Sequence, residues 1–533
     1  MNETHGGGPF REVGSRAHGT TWLLPTIALA WIACAGLGGL LEPTETRYAE
    51  IAREMNVTHD WLLPRLNGVL HLHKPPLAYW ATALGMNLFG PEAFGARLFA
   101  VLASLLMVTG LVAAAQRGLA HFAPNATGAA AILATTALVA GFGRSLASDP
   151  FLAGAVAWYW ALAPSPLAIA AIGVGFLAKG PVVLVHTLLP VLVVAGLSRD
   201  RSAMRWLGPG SGWLLAGAIA LPWYLLAMTR VKGLLGYWLT DHLWGRYAAT
   251  IHERGGPPWY FLGVLAVGVL PWLALLIAGI ARAWRERDHV APRLVLAWLF
   301  VPLAFFSFSG SKLPAYLLPA FPAAALLAAF GAQSRVARIA TALTCAGLGV
   351  AGAWLGPRAL GHIQQLPSHV PVGGPPLAYV ACALLVIAAL PVWRGRLALG
   401  GACVLAAWTA LIAALAPFEA PLGSPRPIAR LLAEQRVPGE RVVLVNQFNA
   451  GLPFYLRETL PMVDVPRETR FDSEALKHSL EVPGDSVAAW AARSRRVWLF
   501  GPERGCEELA ERHALTFTPL ARWRRSVLGF AAR

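Results

Sequence analysis

Runs of about 20 mainly apolar residues, the length a helix needs to cross a bilayer, recur along the chain with short arginine clusters between them. On that rule spanning helices are predicted near 21–41, 93–115, 127–146, 150–163, 166–179, 181–197, 211–229, 259–281, 292–309, 314–331, 338–356, 376–393 and 397–417. Two segments decide the parity of everything downstream. The run Leu77 to Phe89 is apolar but short, lies between Pro75-Pro76 and Gly90-Pro91, and reads as an interfacial helix lying on the membrane. The run Pro150 to Lys179 is split by Ala163-Pro164-Ser165-Pro166 into two short legs. The first run, Trp22 to Leu41, is too long for a signal-peptide core and lacks a clear cleavage site, so it is taken as a retained span.

Arginine and lysine concentrate in short cytoplasmic loops, which tests the parity. With thirteen spans and the N-terminus inside, Arg11, Arg16, Arg117, Arg199, Arg201, Arg205, Arg282, Arg285, Arg287, Arg293, Arg335, Arg338, Arg394 and Arg396 all fall on one side. The polar stretches 42–92, 144–149, 230–258 and 310–313 then share the opposite, external face.

After Pro417 the pattern changes. Short apolar runs at Arg441 to Val445, Val497 to Phe500, Leu515 to Thr518 and Ser526 to Phe530 predict strands, and Ile428 to Gln435 and Glu503 to His513 predict helices. Residues 1–420 are read as a membrane domain whose first external loop is 42–92, and 421–533 as a small α/β domain that an odd span count leaves outside the cytoplasm. The expected fold is thus an all-α polytopic membrane protein of about thirteen helices with a C-terminal α/β domain.

Composition agrees: the 533 residues are 56% hydrophobic and only 14% charged. In a soluble protein a formal charge of +16 would suggest nucleic acid. Here the arginines sit between apolar runs, a pattern that reports membrane orientation and contact with anionic headgroups, and no nucleic-acid partner is expected. Of the five cysteines, Cys34, Cys345, Cys382 and Cys403 lie in apolar segments and Cys506 stands alone, so no disulfide framework or zinc spacing follows.

The external loop 42–92 carries the densest chemistry, with Glu42, Glu45, Arg47, Glu50, Arg53, Glu54, Asp60, Arg65, His71, His73 and Lys74 between apolar spans. Glu45, Arg47 and Lys74 suit a site in which cations grip a phosphate leaving group while a carboxylate works on a hydroxyl. Glu50, Arg53 and Glu54 suit scaffolding by charge pairing along a helix. Elsewhere Asp149 either caps the helix opened by Pro150 or acts in chemistry, and Lys179 reads as a snorkelling residue at a span end. His242 with Arg246, and Lys312 with Tyr316, are four apart and are expected to share a helix face. Charges at membrane depth usually mark ligands. His71 and His73 alternate as on a strand with no third metal ligand in spacing.

An ordered series of motifs now adds to this reading. EPTETRYAEIAREM, DWLLPRLNGVLHLHKPPLAYW, LFGPEAFGARL, FLAKGPV, PWYLL, the H-x-x-x-R-Y of His242 to Tyr247 and FFSFSGSKLPAYLLPAFPA resemble the aminoarabinosyltransferase family. That family modifies lipid A and is a branch of the GT-C membrane glycosyltransferases related to protein O-mannosyltransferases. The resemblance runs in unbroken order over most of residues 20–420, and GLPFYLRE in the tail resembles the family's periplasmic domain. It implies an inner-membrane enzyme with a periplasmic active site and a polyprenyl-phosphate sugar as donor. Carrier-phosphate binding maps onto Arg47, Lys74 and Arg246, with Tyr316, Lys312 and His242 near the same cavity, and a catalytic or metal-proximal carboxylate onto Asp149. Where the family typically has an acidic pair before T-R-Y this chain has Thr44-Glu45, which passes the general-base role to Glu45 or Glu42. Where the family often has an acid before K-P-P this chain has His73. No cofactor is demanded by the residues themselves, and the resemblance allows a divalent metal.

The expected reaction is glycosyl transfer from a polyprenyl phosphate to lipid A or another glycolipid or protein acceptor of the envelope, with protein O-mannosylation as the alternative within the same class. A rival of another class, a transporter of lipid-linked sugars, predicts internal repeats or charges deep in broken spans.

Overall fold

The computed structural model of the protein describes residues 22–198, 201–240, 255–361, 375–464, 481–494 and 496–533. Helix occupies each of the thirteen predicted apolar segments. Among the described residues seven helices are long and apolar enough to cross a membrane, and the bent pair Tyr260–Gly268 and Leu273–Arg285 makes an eighth. Shorter apolar helices Leu23–Ala35, Pro166–Lys179 and Leu188–Leu197 stand with them. Large side chains such as Leu29, Leu197, Leu214 and Leu343 point outward, 68–85% exposed, as expected of surfaces that meet lipid rather than water. The chain is a multi-span membrane protein.

Several segments differ from smooth spans, each for a local reason. The first helix ends at Ala35, not near 41, because Gly36, Gly38 and Gly39 follow and Gly38 takes a positive φ of 69°. The predicted 127–146 span breaks at Thr136 into Ala126–Thr135 and Ala137–Phe142. Neighbouring helices satisfy that break: the Trp408 indole donates to the Thr135 carbonyl, the Trp272 indole to the Thr135 hydroxyl, and the Ala137 N–H to the Leu270 carbonyl. The 259–281 segment bends by 112° between its two helices, where Pro271 stands. Lys312 and Tyr316 do not share a helix face, since Tyr316 belongs to the 3-10 turn Pro314–Ala320 and Lys312 precedes it.

The Pro150 to Lys179 run is a hairpin of two legs, Ser148–Leu162 and Pro166–Lys179. Each leg is only about 22 Å long at 1.5 Å per residue, and the reversal returns Lys179 to the end at which Asp149 began. The first leg packs on helix Ala93–Gln116 through small residues. A Cβ added to Gly110 would lie 2.9 Å from the Ala157 Cβ, and one added to Gly154 would lie 2.8 Å from the Ala103 carbonyl oxygen.

The first loop holds more structure than the interfacial helix expected at Leu77 to Phe89. Helix Thr44–Thr58 is followed by a two-residue-turn hairpin, β1 (Arg65–Leu66) with β2 (Val69–Leu70), and then by helix Leu77–Phe89. Asn67 and Gly68 both take positive φ, 49° and 79°, the conformation an Asn-Gly hairpin turn requires. Three indoles staple the loop: Trp80 donates to the Trp61 carbonyl, Trp223 to Leu62 and Trp238 to Leu72.

The C-terminal region forms a five-stranded sheet in the order β4-β3-β5-β7-β6. Strands β3 (Val442–Val445), β4 (Met462–Val463) and β5 (Arg496–Gly501) are parallel, whereas β6 (Thr516–Trp523) and β7 (Ser526–Ala532) form an antiparallel hairpin on the β5 side. Alternation sends Val442 and Leu444 to one face, against Ile428 and Leu432 of helix Arg426–Gln435, and Val443 and Val445 to the other, against Leu509 of helix Glu503–Arg512. The four predicted strands and two predicted helices are present; β4 and helices Gly451–Leu456 and Asp485–Ser494 are additional. This domain clamps the first loop. The Asn67 side-chain amide donates to the Leu460 carbonyl and its oxygen accepts from the Leu460 N–H, at 2.8 and 2.7 Å, while Glu42 accepts from the Gly451 N–H at 2.6 Å.

Candidate active site

A cavity of about 750 Å³ opens where the first loop meets the transmembrane helices. Its walls are mostly apolar, including Leu72, Leu152, Phe176, Val182, Trp223, Trp238 and Phe306. Polar atoms come from His73, Lys74, Lys179, His186, Ser309, Ser311 and Tyr316. Such a lining suits an amphiphile with a long hydrocarbon part and one anionic group.

Lys179 supplies the buried charge. It ends helix Pro166–Lys179, and the chain leaves sharply through Gly180, whose φ of 75° a side chain would strain. Its ammonium forms an ion pair with Asp149 and lies 4.9 Å from the centroid of the Tyr316 ring. The hairpin makes this meeting, because Asp149 stands in the first turn of one leg and Lys179 in the last turn of the other, each at the helix end whose dipole favours its charge. Tyr48, from helix Thr44–Thr58, stands beside this group. Lys74 reaches the same cavity from the loop after β2.

Of the residues singled out in the sequence, Lys74 and Tyr316 line the cavity, and Asp149 meets it through Lys179. His242 and Arg246 lie outside the described residues. Lys312 turns away: its ammonium donates to the carbonyls of Ser307 and Ser309, both at 2.8 Å, and so closes the C-terminal end of helix Val290–Ser307. Arg47 is half-buried beside Glu42 and does not line the cavity.

Neither expected general base faces the cavity. Glu45 is 4% exposed and both its oxygens are occupied. They accept from Arg97 at 2.8 and 2.6 Å and from the N–H groups of Leu146 and Leu41 at 3.0 and 2.9 Å. Burial opposes its charge, but Arg97 and these N–H donors outweigh it and hold the carboxyl below the usual range. Arg97 also donates to the carbonyls of Ala35, Leu37, Gly38 and Gly39, so one guanidinium closes the end of the first helix and fixes the first loop on it. Glu42 faces the C-terminal domain, and there burial pushes its carboxyl up despite the Gly451 N–H and Arg47. Arg53 donates to both oxygens of the buried Glu50 within their helix, at 2.7 and 2.6 Å.

Lys179 at the cavity wall and Arg97 beneath the first loop are buried, paired charges that the sequence analysis does not place. A lysine inside FLAKGPV, at membrane depth beside apolar residues, was the available signal for the first. For Arg97, inside the predicted span 93–115, the same signal applied. Among the described residues no three His, Cys, Asp or Glu side chains converge in a way that could hold a metal ion.

The chain is similar to known proteins along nearly its whole length. Residues 73–225 match the family model for dolichyl-phosphate-mannose-protein mannosyltransferase, a stretch that includes Lys74, Asp149 and Lys179. The chain is 31% identical over 507 residues to the undecaprenyl phosphate-α-4-amino-4-deoxy-L-arabinose arabinosyl transferase of Pseudomonas paraeruginosa, covering 89% of this chain and 91% of that one. Its Pseudomonas aeruginosa counterpart is 30% identical over 538 residues, 95% and 96% of the two chains. The fold is similar to that of ArnT from Cupriavidus metallidurans bound to undecaprenyl phosphate, with a TM-score of 0.80 at 24% identity over 97% of this chain and 98% of that one. On its near full-length likeness to the Pseudomonas enzymes, the chain belongs to the undecaprenyl phosphate-α-4-amino-4-deoxy-L-arabinose arabinosyl transferase family of membrane glycosyltransferases.

Proposed function

We propose that this chain transfers 4-amino-4-deoxy-L-arabinose from undecaprenyl phosphate to lipid A or another envelope acceptor, at the periplasmic face of the inner membrane. The observation that carries this reading is the Lys179 ammonium held between Asp149 and Tyr316, with Lys74 on the same mostly apolar cavity. The hydrocarbon part of the carrier lies along the apolar walls, and its phosphate draws the ammonium groups of Lys74 and Lys179. As Lys179 turns to the phosphate, the Asp149 carboxylate is released to the acceptor.

The acceptor oxygen then attacks the anomeric carbon from the face opposite the phosphate. Its proton passes to Asp149, the anomeric carbon–oxygen bond breaks, and the electron pair leaves on the carrier phosphate. Lys74 and Lys179 stabilise the charge that grows there. Glu45 acts through Arg97 as a positioning residue for the first loop, not as the base.

A purified-enzyme assay with the aminoarabinosyl carrier and lipid A, read by mass spectrometry, tests the reading. Aminoarabinose on lipid A supports it. No product with this donor, or wild-type transfer by Lys74→Ala and Lys179→Ala, overturns it. The family match over 73–225 favours one second reading, mannose transfer to protein, for which a glycosylated periplasmic protein is the distinguishing product.

A further inference from the structure

Strands β3 and β5 begin side by side, with Val442 opposite Trp498. At that end of the sheet the segment Val437 to Arg441, the end of helix Asp485–Ser494 and Arg496 enclose an open cleft of about 720 Å³. It shares no residue with the cavity of Lys74 and Lys179.

Three arginines reach this cleft from three elements: Arg441 before β3, Arg493 from the last turn of helix Asp485–Ser494, and Arg496 at the start of β5. Among the described residues one carboxylate faces them, and it is spent. Glu440 is 5% exposed. One of its oxygens pairs with Arg496, and the other accepts from the Trp498 indole at 2.7 Å and the Val437 N–H at 3.0 Å. Burial opposes its charge, yet Arg496 and the Trp498 indole hold the carboxyl below the usual range, so it stays an anion committed to fixing Arg496. Among the described residues Arg441 and Arg493 make no ion pair, and both are exposed. The Arg441 guanidinium stands 5.7 Å from the centroid of the half-buried Trp490 ring. Ser494 steadies this wall by donating to the Trp490 carbonyl at 2.8 Å and the Arg496 carbonyl at 3.0 Å.

Solvated surface arginines usually splay apart, whereas these converge on a concavity in which like charges repel and the field on an incoming anion is focused. Guanidinium forks match phosphate oxygens, and an indole face beside them offers a flat apolar surface to a sugar ring. We propose that this cleft binds a phosphorylated saccharide, Arg441 and Arg493 taking the phosphate, Trp490 the ring, and the Arg496–Glu440 pair forming a fixed floor. The ligand is either a free sugar phosphate or the headgroup of a phosphorylated glycolipid. The site does not depend on the transfer reaction proposed above.

The experiment is isothermal titration of the full-length enzyme in detergent with glucosamine 1-phosphate, glucosamine and inorganic phosphate. Saturable binding of glucosamine 1-phosphate is expected, weakened at least tenfold by Arg441→Gln with Arg493→Gln. Trp490→Ala is expected to weaken glucosamine 1-phosphate and leave inorganic phosphate unchanged. Retention of binding by Lys74→Ala with Lys179→Ala separates this cleft from the transfer cavity. No saturable binding, binding insensitive to the arginine pair, or inorganic phosphate binding as tightly as glucosamine 1-phosphate overturns the proposal. Competition by lipid A vesicles assigns the site to a glycolipid headgroup, and its absence to a free sugar phosphate. Equal competition by phosphatidylglycerol vesicles overturns the requirement for a saccharide.

Discussion

Lys179 and Asp149 lie 30 residues apart in the chain, brought to the same end of one helical hairpin, and form a buried ion pair at the wall of the cavity. Removing one member of such a pair leaves an uncompensated charge that typically costs about 3–5 kcal/mol, whereas replacing both by groups of similar volume is often neutral. Lys179→Met and Asp149→Asn are therefore each expected to lower the thermal midpoint of the purified enzyme, and the double variant to recover most of it. Transfer should not recover. A double variant that regains wild-type turnover would reduce the pair to a structural role.

Arg97 and Glu45 pose the opposite case, a buried pair away from the cavity. Glu45→Gln and Arg97→Met should each destabilise by about 3–5 kcal/mol, seen as loss of folded protein on size-exclusion chromatography. Turnover per folded molecule should stay within a few-fold of wild type. A folded Glu45→Gln enzyme with turnover reduced a hundredfold or more would restore Glu45 as the general base.

The first loop carries a pH dependence of known sign. Burial raises the Glu50 carboxyl from 4.5 to about 8 against the pull of Arg53, and the neighbouring Glu54 carboxylate adds to the rise. A carboxyl whose folded pKa exceeds its unfolded one binds its proton more tightly when folded. Its contribution is full below about 4.5 and is lost as pH rises through about 8. Thermal midpoints measured from pH 5 to pH 9 should fall for wild type relative to Glu50→Gln, which cannot lose that proton. Parallel profiles would remove Glu50 from the account.

Asn67 ties the hairpin turn to the C-terminal domain through two bonds with Leu460. Asn67→Gly keeps the positive φ at no steric cost and deletes both bonds, each worth about 0.5–1.5 kcal/mol net. Faster proteolytic release of the C-terminal domain is expected, with the hairpin retained. Unchanged protection would place the clamp elsewhere, with Glu42 and Gly451 as the next pair to test.

Much of this architecture was legible as pattern. The thirteen apolar segments follow from lipid demanding about 20 apolar residues per crossing, and the hairpin break at Ala163-Pro164-Ser165-Pro166 from proline's missing donor. The four strands after Pro417 follow from alternating apolar residues. Asn67-Gly68 is legible too, since that dipeptide signals a two-residue hairpin turn. The break at Thr136 was not legible. No proline or glycine stands beside that threonine, and the bonds that satisfy the break come from residues more than 130 positions away.

The candidate site shows where sequence stops. Composition and motif order determined a membrane glycosyltransferase with a charged first loop, because lipid excludes charges that have no task. They could not say which charges pair. Glu45 and Lys179 were weighed by their neighbours in the chain, Glu45 among the polar residues of a loop and Lys179 among apolar residues of a span. Tertiary structure chose the partners: Arg97, 52 residues from Glu45, satisfies it away from the cavity, and the hairpin brings Lys179 to Asp149 at the cavity wall. An ionisable side chain takes its role from the partner that desolvation forces on it, and that partner is chosen by how helices pack.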